Sequence, residues 1–335
     1  MQHTEIPEAA IRDIAVVIPF YQTRSGILSR ALESAERQTL AQRCVVYVVD
    51  DESPISAEEE LRQSEPFKNI QLEVIQQANG GAGKARNTGL NHISDDTQFV
   101  AFLDSDDAWH DEHLEIAIAT LEWGHDAYFS DHYAALYPDL GNFERIGTLD
   151  IAQHSVIDAD NQSYAMNISM IEHIVSDGGG VIGTSNVVFR RSAFPKLRFR
   201  EEFYNGQDFF FWMDLSDQGA KWCFSTKITC TCGTGLNIYS GSGWGKPNSL
   251  RRIRNELFVW TSAEKFYELS PSLKQANERT IRDLQESAVR DILHRIRHLK
   301  SISLEQLYDI FRMRPSTLAM FFTLPFSIIK DKSRS

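Results

Sequence analysis

Short apolar runs alternate with amphipathic segments from Ile14 to Glu122. The runs IAVVIP, CVVYVVDD, IQLEVIQ and FVAFLD are rich in β-branched residues, which is typical of buried strands. The segments between them, such as ILSRALESAERQ, place apolar residues at helical spacing, and Ser25 is a candidate N-cap. Continuously apolar strands separated by helices indicate a parallel sheet covered on both faces.

The second half of the chain continues this pattern and then changes it. SNVVFRR and KWCFST predict further strands, and DFFFWMDLSDQG predicts a buried helix. A glycine- and serine-rich loop from Gly235 to Ser249 follows, and the pattern beyond it is helical almost to the end. We therefore predict an α/β domain over residues 1–240, and a lid loop with a C-terminal helical region over residues 241–335.

Polar chemistry is concentrated where the predicted strands end. The first strand ends in PFY, the second in DDES and the fourth in DSDD. Ligands of open parallel sheets bind outside the carboxyl ends of the strands. Three carboxylates within four residues must be solvated, paired or neutralised there.

Composition narrows the possible functions. The chain has 335 residues, 42% hydrophobic and 24% charged, as in a soluble globular protein. Its net charge of -12 argues against general nucleic-acid binding, which needs a basic surface. Four cysteines are too few for a disulfide scaffold, and no apolar segment follows Met1, so a cytoplasmic protein with reduced thiols is expected.

The stretch QANGGAGKARNTGL matches neither common phosphate-binding motif. Ala78 and Ala85 stand where a Walker A loop needs Gly and Ser or Thr. A dinucleotide fingerprint would follow the first strand and would not end in Arg86. What remains is a backbone that a ligand can approach closely, a helix N-terminus and the cations Lys84 and Arg86, which together suit an anion.

Four segments taken in order resemble one known family. VVIPFYQTRSGILSRALESAERQTL, VVYVVDDESP, NGGAGKARNTGL and VAFLDSDDAW are similar to the inverting nucleotide-sugar glycosyltransferases of family 2. The resemblance implies a GT-A fold, which is α/β and Rossmann-like. Its mostly parallel central sheet is flanked by helices, and here a C-terminal helical extension follows.

The resemblance also implies which residues contact the nucleotide. Pro19 and Tyr21 match the end of the family's first strand, although Gln22 replaces the usual Asn, and Asp51 matches the carboxylate that contacts the base. The Ala-Arg-Asn segment matches the family's pattern beside the nucleotide. The predicted donor-binding residues are Pro19, Tyr21, Asp51, Lys84, Arg86, Asn87, Asp104 and Asp106.

The family's DxD sequence matches Asp104-Ser105-Asp106. It implies that Asp106 holds Mn²⁺ or Mg²⁺ on the diphosphate, with Asp104 beside the ribose and the metal, and hard cations do prefer such oxygen ligands. Both carboxylates are expected to be uncompensated until metal and diphosphate arrive. Asp107 is expected to hold the loop or cap the next helix, and His113 to be a polar surface residue at a helix start.

The family's catalytic base lies in a Glu-Asp pair at the start of a late helix, where this chain has Gln207-Asp208. Asp208 is the expected base, and the lost Glu leaves the orientation of the acceptor open; a helix N-cap is the alternative for Asp208. Three arginines follow the glycine-rich loop and either close on the diphosphate or form a solvated helix face: Arg251, Arg252 and Arg254.

The expected function is a metal-dependent inverting glycosyltransferase of hexosyltransferase type. It would move a sugar from a nucleoside diphosphate, expected to be UDP, to a hydroxyl of a bacterial surface glycan or lipid-linked saccharide. A sugar nucleotidyltransferase is one alternative, although the first strand lacks the glycine-rich basic loop that it would need. A non-catalytic glycan-binding or assembly module on the same fold is the other.

The end of the chain, TLAMFFTLPFSIIKDKSRS, combines apolar and basic residues. Its apolar run is shorter than the ~20 residues that span a bilayer. Basic flanks suit attachment to an anionic membrane surface, and a C-terminal element packed on the protein is the alternative. The expected location is therefore the cytoplasm, with peripheral binding at the inner face of the plasma membrane.

Overall fold

The computed structural model describes residues 11–62, 65–234, 242–243 and 245–323. The chain divides into two units. The first unit comprises Met1–Glu201 with Phe211–Leu236, and the second comprises Glu202–Phe210 with Asn237–Ser335. The predicted boundary after residue 240 falls outside the described ranges and stays a prediction.

The first unit is built on a mixed, mostly parallel sheet, which confirms the predicted fold class. The strand order is β3-β2-β1-β4-β10-β6-β11-β9-β8, with β5 paired to β11 and β7 to β6. The strands are β1 (Ile14–Phe20), β2 (Cys44–Asp50), β3 (Gln71–Gln76), β4 (Phe99–Phe102), β5 (Ala108–Trp109), β6 (Ala127–Ala134), β7 (Tyr137–Gly141), β8 (Ser155–Asp158), β9 (Ser163–Ala165), β10 (Val188–Arg190) and β11 (Trp222–Thr231).

Helices connect these strands and form the described part of the second unit. They are α1 (Ile27–Glu36), α2 (Ala57–Leu61), α3 (Ala82–His92), α4 (His113–Leu121), α5 (Asn142–Ile146), α6 (Met170–Asp177), α7 (Gln207–Asp217), α8 (Ser249–Phe266), α9 (Pro271–Arg297) and α10 (Leu304–Met313). The predicted N-cap of α1 is wrong, because the helix begins after Gly26 and no side chain caps it.

The central strands are buried along almost their whole length, as their apolar sequences predict. Every residue of β1 except Pro19 is buried, and α3 lies close against this strand. A Cβ on Gly89 of α3 would come within 2.5 Å of Val17 Cγ1, so a larger residue would push the helix away. This close approach brings the N-terminal end of α3 to the carboxyl edge of the sheet.

Strand β10 is inserted antiparallel between β4 and β6. Its residue Val188 pairs with Ala101 of β4 on one side and with Tyr128 of β6 on the other. Because β10 runs in the opposite direction, the residues just before it lie at the end of β4. A segment far along the sequence therefore reaches the loop that carries the DxD residues.

The second unit is fixed internally by a buried ion pair. Arg295 of α9 bonds Asp291 at 2.6 Å, and the side chains are only 6% and 0% exposed. The same guanidinium donates to the carbonyl of Lys246 at 2.7 Å, to Ser249 Oγ at 2.9 Å and to the carbonyl of Ser301 at 2.9 Å. Arg295 thus anchors the residues from which α8 begins.

None of the described helices is long and apolar enough to cross a membrane. Residues 324–335, which carry most of the predicted membrane-binding tail, lie outside the described ranges.

Replacing Arg295 with Met should lower the free energy of unfolding by about 3–5 kcal/mol, because Asp291 would be left buried without its partner. Urea denaturation followed by circular dichroism measures this change. Arg297→Met is the matched control, since Arg297 is exposed on the same helix. Equal midpoints for the two variants would contradict the structural role assigned to Arg295.

Candidate functional site

The carboxyl ends of β1, β2 and β4 lie side by side. Phe20 pairs with Asp50 across β1 and β2, and Val17 pairs with Phe102 across β1 and β4. The loops that leave these ends carry several of the predicted site residues, with Pro19 half-buried and Tyr21 43% exposed. The parallel sheet therefore collects the predicted strand-end chemistry at one edge.

Gln22 joins the three loops at this edge. Its backbone N–H donates to Ser53 Oγ at 2.6 Å, and its side-chain nitrogen donates to Ser105 Oγ at 3.2 Å. Gln22 is buried; its backbone holds the loop after β2, and its side-chain amide holds the loop after β4. The residue that departs from the family's usual Asn thus holds the DxD loop in place.

Asp51 folds the glycine-rich loop. One carboxylate oxygen accepts hydrogen bonds from the Gln77 side chain at 2.7 Å and the Gly80 N–H at 2.8 Å. The other accepts from the Gly81 N–H at 2.8 Å. A nucleotide base would have to share these oxygens, so the expected base contact of Asp51 stays a prediction.

Lys84 and Asn87 lie in the first two turns of α3. Lys84 is half-buried, and its stem lies close to Gly80. The Asn87 amide accepts from the Phe199 N–H at 2.7 Å and donates to the Phe199 carbonyl at 2.9 Å and to Glu201 at 2.8 Å. Asn87 braces a distant segment, and the nucleotide contacts expected of both residues stay predictions.

Arg86 compensates one of the DxD carboxylates. Its Nη2 lies 2.6 Å from Asp104 Oδ1, and its guanidinium lies 5.3 Å from the ring centre of Phe199. The expectation that Asp104 is uncompensated before metal binds is therefore wrong. The pair forms because the tertiary structure brings α3 to this loop, which no local sequence pattern indicates. The Asp104 side chain remains 36% exposed beside Arg86.

Ser185 is a functional residue that sequence reasoning missed. Its hydroxyl accepts from the Asp104 N–H at 2.9 Å and donates to Asp107 Oδ2 at 2.5 Å, and its carbonyl accepts from Trp109 Nε1 at 2.6 Å. Ser185 thus holds the loop at its first residue, Asp104, and at its last residue, Asp107, and it also bonds Trp109 in the strand that follows. The signal available in the sequence was its position as the first residue of the predicted strand SNVVFRR.

Asp107 holds the loop rather than capping a helix. Besides Ser185, it accepts the Gly233 N–H at 2.8 Å. Burial, and then the charges of Asp104 and Asp106, raise the pKa of Asp107 to about 7, although both hydrogen bonds favour its ionised form. Burial is thus the main reason why Asp107 is hard to ionise, and the two neighbouring carboxylates add to it.

The donor set suits a hard divalent cation. Asp104 and Asp106 are half-buried carboxylates, and their negative charge disfavours ionisation of the neighbouring Asp107. Within the described ranges, no three His, Cys, Asp or Glu side chains are grouped so as to hold a metal. A cation here would complete its shell with substrate oxygens and water, as Mg²⁺ commonly does.

His113 is not the surface residue that was expected. It is fully buried, stacks on Trp109 with 4.7 Å between ring centres, and its Nδ1 lies 2.7 Å from Thr229 Oγ1. Burial lowers its pKa to about 3, so the ring is neutral at pH 7. His113 packs the strand that follows the loop.

Asp208 belongs to the second unit. It is half-buried and is the second residue of α7, inside the helix rather than at its cap. Its Oδ1 accepts the Phe209 N–H at 3.0 Å. The turn before α7 requires glycine at position 206. Gly206 has φ 74°, and a Cβ there would lie 2.8 Å from Val259 Cγ2 of α8. The role of Asp208 as base stays a prediction.

Arg254 is engaged within the second unit. Its Nε donates to Asp309 at 2.9 Å, and its Nη1 donates to Asn255 Oδ1 at 2.9 Å. Arg254 therefore joins α8 to α10. It is neither placed to close on a diphosphate nor part of a solvated helix face, so both expectations are wrong for this residue. Arg251 lies over the ring of Tyr204, and Arg252 forms a 3.7 Å ion pair with Glu256.

Comparisons with known proteins agree on one family and fold. The family model for Glycosyl transferase family 2 matches residues 15–198. The succinoglycan biosynthesis protein ExoW of Rhizobium meliloti is 30% identical over 283 residues, covering 84% of this chain and 86% of that protein.

Two further similarities concern a named enzyme and a solved structure. The Escherichia coli UDP-Glc:alpha-D-GlcNAc-diphosphoundecaprenol beta-1,3-glucosyltransferase WfgD is 28% identical over 202 residues, which is 60% of this chain and 69% of WfgD. The mannosyltransferase PcManGT of Pyrobaculum calidifontis, solved with GDP-Man and Mn²⁺, has a TM-score of 0.56 at 15% identity, covering 92% and 81% of the two chains. At that identity the structural similarity shows the fold.

The raised pKa of Asp107 predicts a pH dependence of stability. Because the folded pKa lies above the unfolded value of 3.8, folding takes up a proton, and this contribution to stability is lost as pH rises from about 4 to 7. Asp107→Asn should remove that loss. The free energy of unfolding of the variant should therefore increase relative to that of the wild type as pH rises.

Urea denaturation in EDTA at several pH values between 4 and 7.5 measures this effect. Asp139→Asn, at an exposed position, is the control and should follow the wild type. If Asp107→Asn also ran parallel to the wild type across the whole window, the pKa assignment would be refuted.

Ser185→Ala should loosen the DxD loop, because Asp107 loses a buried hydrogen bond and the Asp104 N–H loses its acceptor. We expect a loss of about 1–3 kcal/mol in stability, together with weaker Mn²⁺ binding measured by calorimetry. Ser301→Ala, at an exposed site, should change neither quantity. Unchanged Mn²⁺ affinity in Ser185→Ala would show that the hydroxyl does not position the metal ligands.

Proposed function

The chain belongs to glycosyl transferase family 2 and is a glycosyltransferase, and from that premise we propose a metal-dependent, inverting transfer. The proposed donor is a UDP-sugar. The proposed acceptor is a hydroxyl of a bacterial surface polysaccharide or of a lipid-linked saccharide. The succinoglycan role in the name of ExoW and the UDP-Glc and diphosphoundecaprenol in that of WfgD support these classes.

One observation carries the proposal. The loop Asp104–Asp107 lies at the carboxyl end of β4, is held by Ser185 and Gln22, and presents two half-buried carboxylates. Carboxylates with excess negative charge are costly unless a cation completes the site. A rigid loop of this kind suits a divalent ion that is brought in with a diphosphate.

Asp106 and Asp104 would hold Mn²⁺ or Mg²⁺ against the donor. Once bound, the cation neutralises the charge that develops on the leaving diphosphate. Arg86 keeps Asp104 oriented through their 2.6 Å contact and offsets one charge of the loop. Lys84 adds a second cation on the same helix, where the N-terminus of α3 also favours an anion.

Asp208 is proposed as the general base. The acceptor oxygen attacks the anomeric carbon, the bond from that carbon to the diphosphate breaks, and the carboxylate takes the hydroxyl proton. Attack opposite to the leaving group inverts the anomeric configuration. Gln207 stands where the family has Glu, so its amide can hydrogen-bond an acceptor but cannot take a proton.

We also propose that the protein works at the inner face of the plasma membrane. Within the described part of the C-terminal segment, Leu318 is 50% exposed and Phe322 is 77% exposed. These apolar groups would enter the interface, while the basic residues of the tail would meet anionic lipid headgroups. Family membership favours transfer over the nucleotidyltransferase and non-catalytic alternatives.

The donor is tested with a thermal-shift panel of UDP-, GDP-, dTDP- and CMP-sugars, each with and without Mn²⁺. A ligand at 100 times its dissociation constant adds about 2.7 kcal/mol of stability. We expect a Mn²⁺-dependent shift with a UDP-sugar, and its loss in Asp106→Asn but not in the exposed control Asp95→Asn. If no sugar nucleotide gave such a shift, the donor site would be misassigned.

The base is tested by the release of nucleoside diphosphate from the donor identified in this panel. Asp208→Asn should keep donor binding and slow turnover by about 10²–10⁴-fold, while Asp217→Asn, exposed on the same helix, should stay near wild type. NMR of the first product should show the inverted anomer. Wild-type turnover in Asp208→Asn would exclude this residue as base, and a retained anomer would exclude inversion.

A further inference from the structure

Glu52 has an unfavourable backbone conformation at the candidate site. It is the second residue after β2 ends at Asp50, and its φ is 59°. This left-handed region favours glycine, whereas a side chain as large as that of glutamate is uncommon there and costs free energy. Such strain persists where a residue is required for another reason, and it is concentrated at ligand-binding sites. The presence of glutamate at position 52 therefore needs an explanation.

The fold does not supply this explanation. Glu52 is exposed, and its Oε2 accepts the Asn79 N–H at 3.1 Å. An exposed hydrogen bond of this kind adds little stability, because water can replace either partner. Asn79 is also held independently, since its Nδ2 donates to the Asp51 carbonyl at 2.9 Å. Glycine at position 52 would thus relieve the strain and leave the Asn79–Gly81 loop anchored.

Three consecutive carboxylates follow from the end of β2, and they differ in what they can offer a ligand. Both oxygens of Asp50 accept backbone N–H groups, from Ser53 and from Ala57, each at 2.8 Å. Both oxygens of Asp51 are engaged by the loop that it folds. Glu52 Oε1 has no hydrogen-bond partner among the described residues. Of these three carboxylates, Glu52 therefore keeps an acceptor oxygen for a ligand.

The sheet brings Glu52 within reach of the base of a bound donor. Strands β2 and β4 flank β1. Neighbouring strands are about 4.8 Å apart, so the loops after β2 and β4 are separated by about 10 Å across the edge of the sheet. A nucleotide spans a distance of this order between its diphosphate and its base. Tyr21, which is 43% exposed, follows β1 between the two loops, and its ring offers a base a surface to stack on. A diphosphate at Asp104 and Asp106 thus leaves its base close to Glu52.

We propose that Glu52 selects the nucleobase of the donor. Its Oε1 accepts the N3–H of uracil, while Asp51 folds the Asn79–Gly81 loop and makes no contact with the base. One free oxygen matches the single N–H on this edge of uracil, whereas guanine presents two adjacent donors and would need both oxygens of a carboxylate. The inference rests on the proposed function, and it adds the residue that distinguishes a UDP-sugar from a GDP-sugar.

The experiment measures how the full chain, in the presence of Mn²⁺, binds two probes: UDP, and UDP that is methylated at N3 of the base. Methylation replaces the N–H with a methyl group, so calorimetry should show at least ~10-fold weaker binding to the wild type. Glu52→Gly removes the acceptor, so UDP itself should bind at least ~10-fold more weakly to this variant. Methylation should then change the affinity of the variant by less than ~2-fold, because the partner of the N–H is already absent.

Two charge-matched variants separate the hydrogen bond from the charge of Glu52. Removing a negative charge near an anionic ligand strengthens binding through electrostatics alone. Glu52→Gln should nevertheless weaken UDP binding, because a hydrogen bond to a carboxylate is stronger than one to an amide. Glu58→Gln makes the same charge change at an exposed position of α2, and it should bind both probes as the wild type does.

Three outcomes would overturn the inference. An equal effect of methylation on the wild type and on Glu52→Gly would assign the N3–H to another residue. Tighter UDP binding by Glu52→Gln would show that the carboxylate contributes only its charge. A lower melting temperature of Glu52→Gly, with its UDP affinity unchanged, would give the side chain a purely structural role.

The donor panel keeps this failure distinct from that of the proposed function. If the wild type binds and turns over a UDP-sugar but N3 methylation leaves the affinity for UDP unchanged, only the role of Glu52 is refuted. If the wild type binds a GDP- or CMP-sugar but no UDP-sugar, the proposed UDP donor fails, and the role of Glu52 fails with it. Circular dichroism of each variant checks that it is folded.

Discussion

The hydrogen bond from Ser185 to the buried carboxylate of Asp107 holds the candidate site together. It joins the loop after β4 to the segment before β10, and Asp107 joins the same loop to Gly233 after β11. Three segments that are far apart in sequence thus meet at one carboxylate. The position of Asp104 depends on this joint, because its N–H is bonded to the same serine hydroxyl.

Burying the Asp107 carboxylate beside Asp104 and Asp106 is electrostatically unfavourable, and a bound cation would reduce this cost. Burial raises the pKa of Asp107, and the charges of the neighbouring Asp104 and Asp106 raise it further. Arg86 offsets part of this charge at Asp104, and a divalent cation would offset more of it. A site prepared in this way gains most from an ion that arrives with a diphosphate, which is the transfer that we propose.

The second unit uses arginine in two contrasting ways. Arg295 is buried, paired with Asp291 and bonded to the backbone before α8, so it has a structural role. Near the start of that helix, Arg252 forms a longer 3.7 Å ion pair with Glu256, and Arg251 lies over the ring of Tyr204. Burial with a carboxylate gives Arg295 a structural role, whereas the contacts of Arg251 and Arg252 are longer and more exposed.

The sequence by itself determined the local and repeated features: buried parallel strands, their polar ends, the buried helix α7 and the family. These depend on neighbouring residues and on motif spacing, which a linear pattern records. Tertiary structure alone decided that Arg86 pairs with Asp104, that Asn87 braces Phe199 and that Ser185 holds the loop. Such partners are chosen by how strands and helices pack across long sequence separations, and no local pattern specifies that packing.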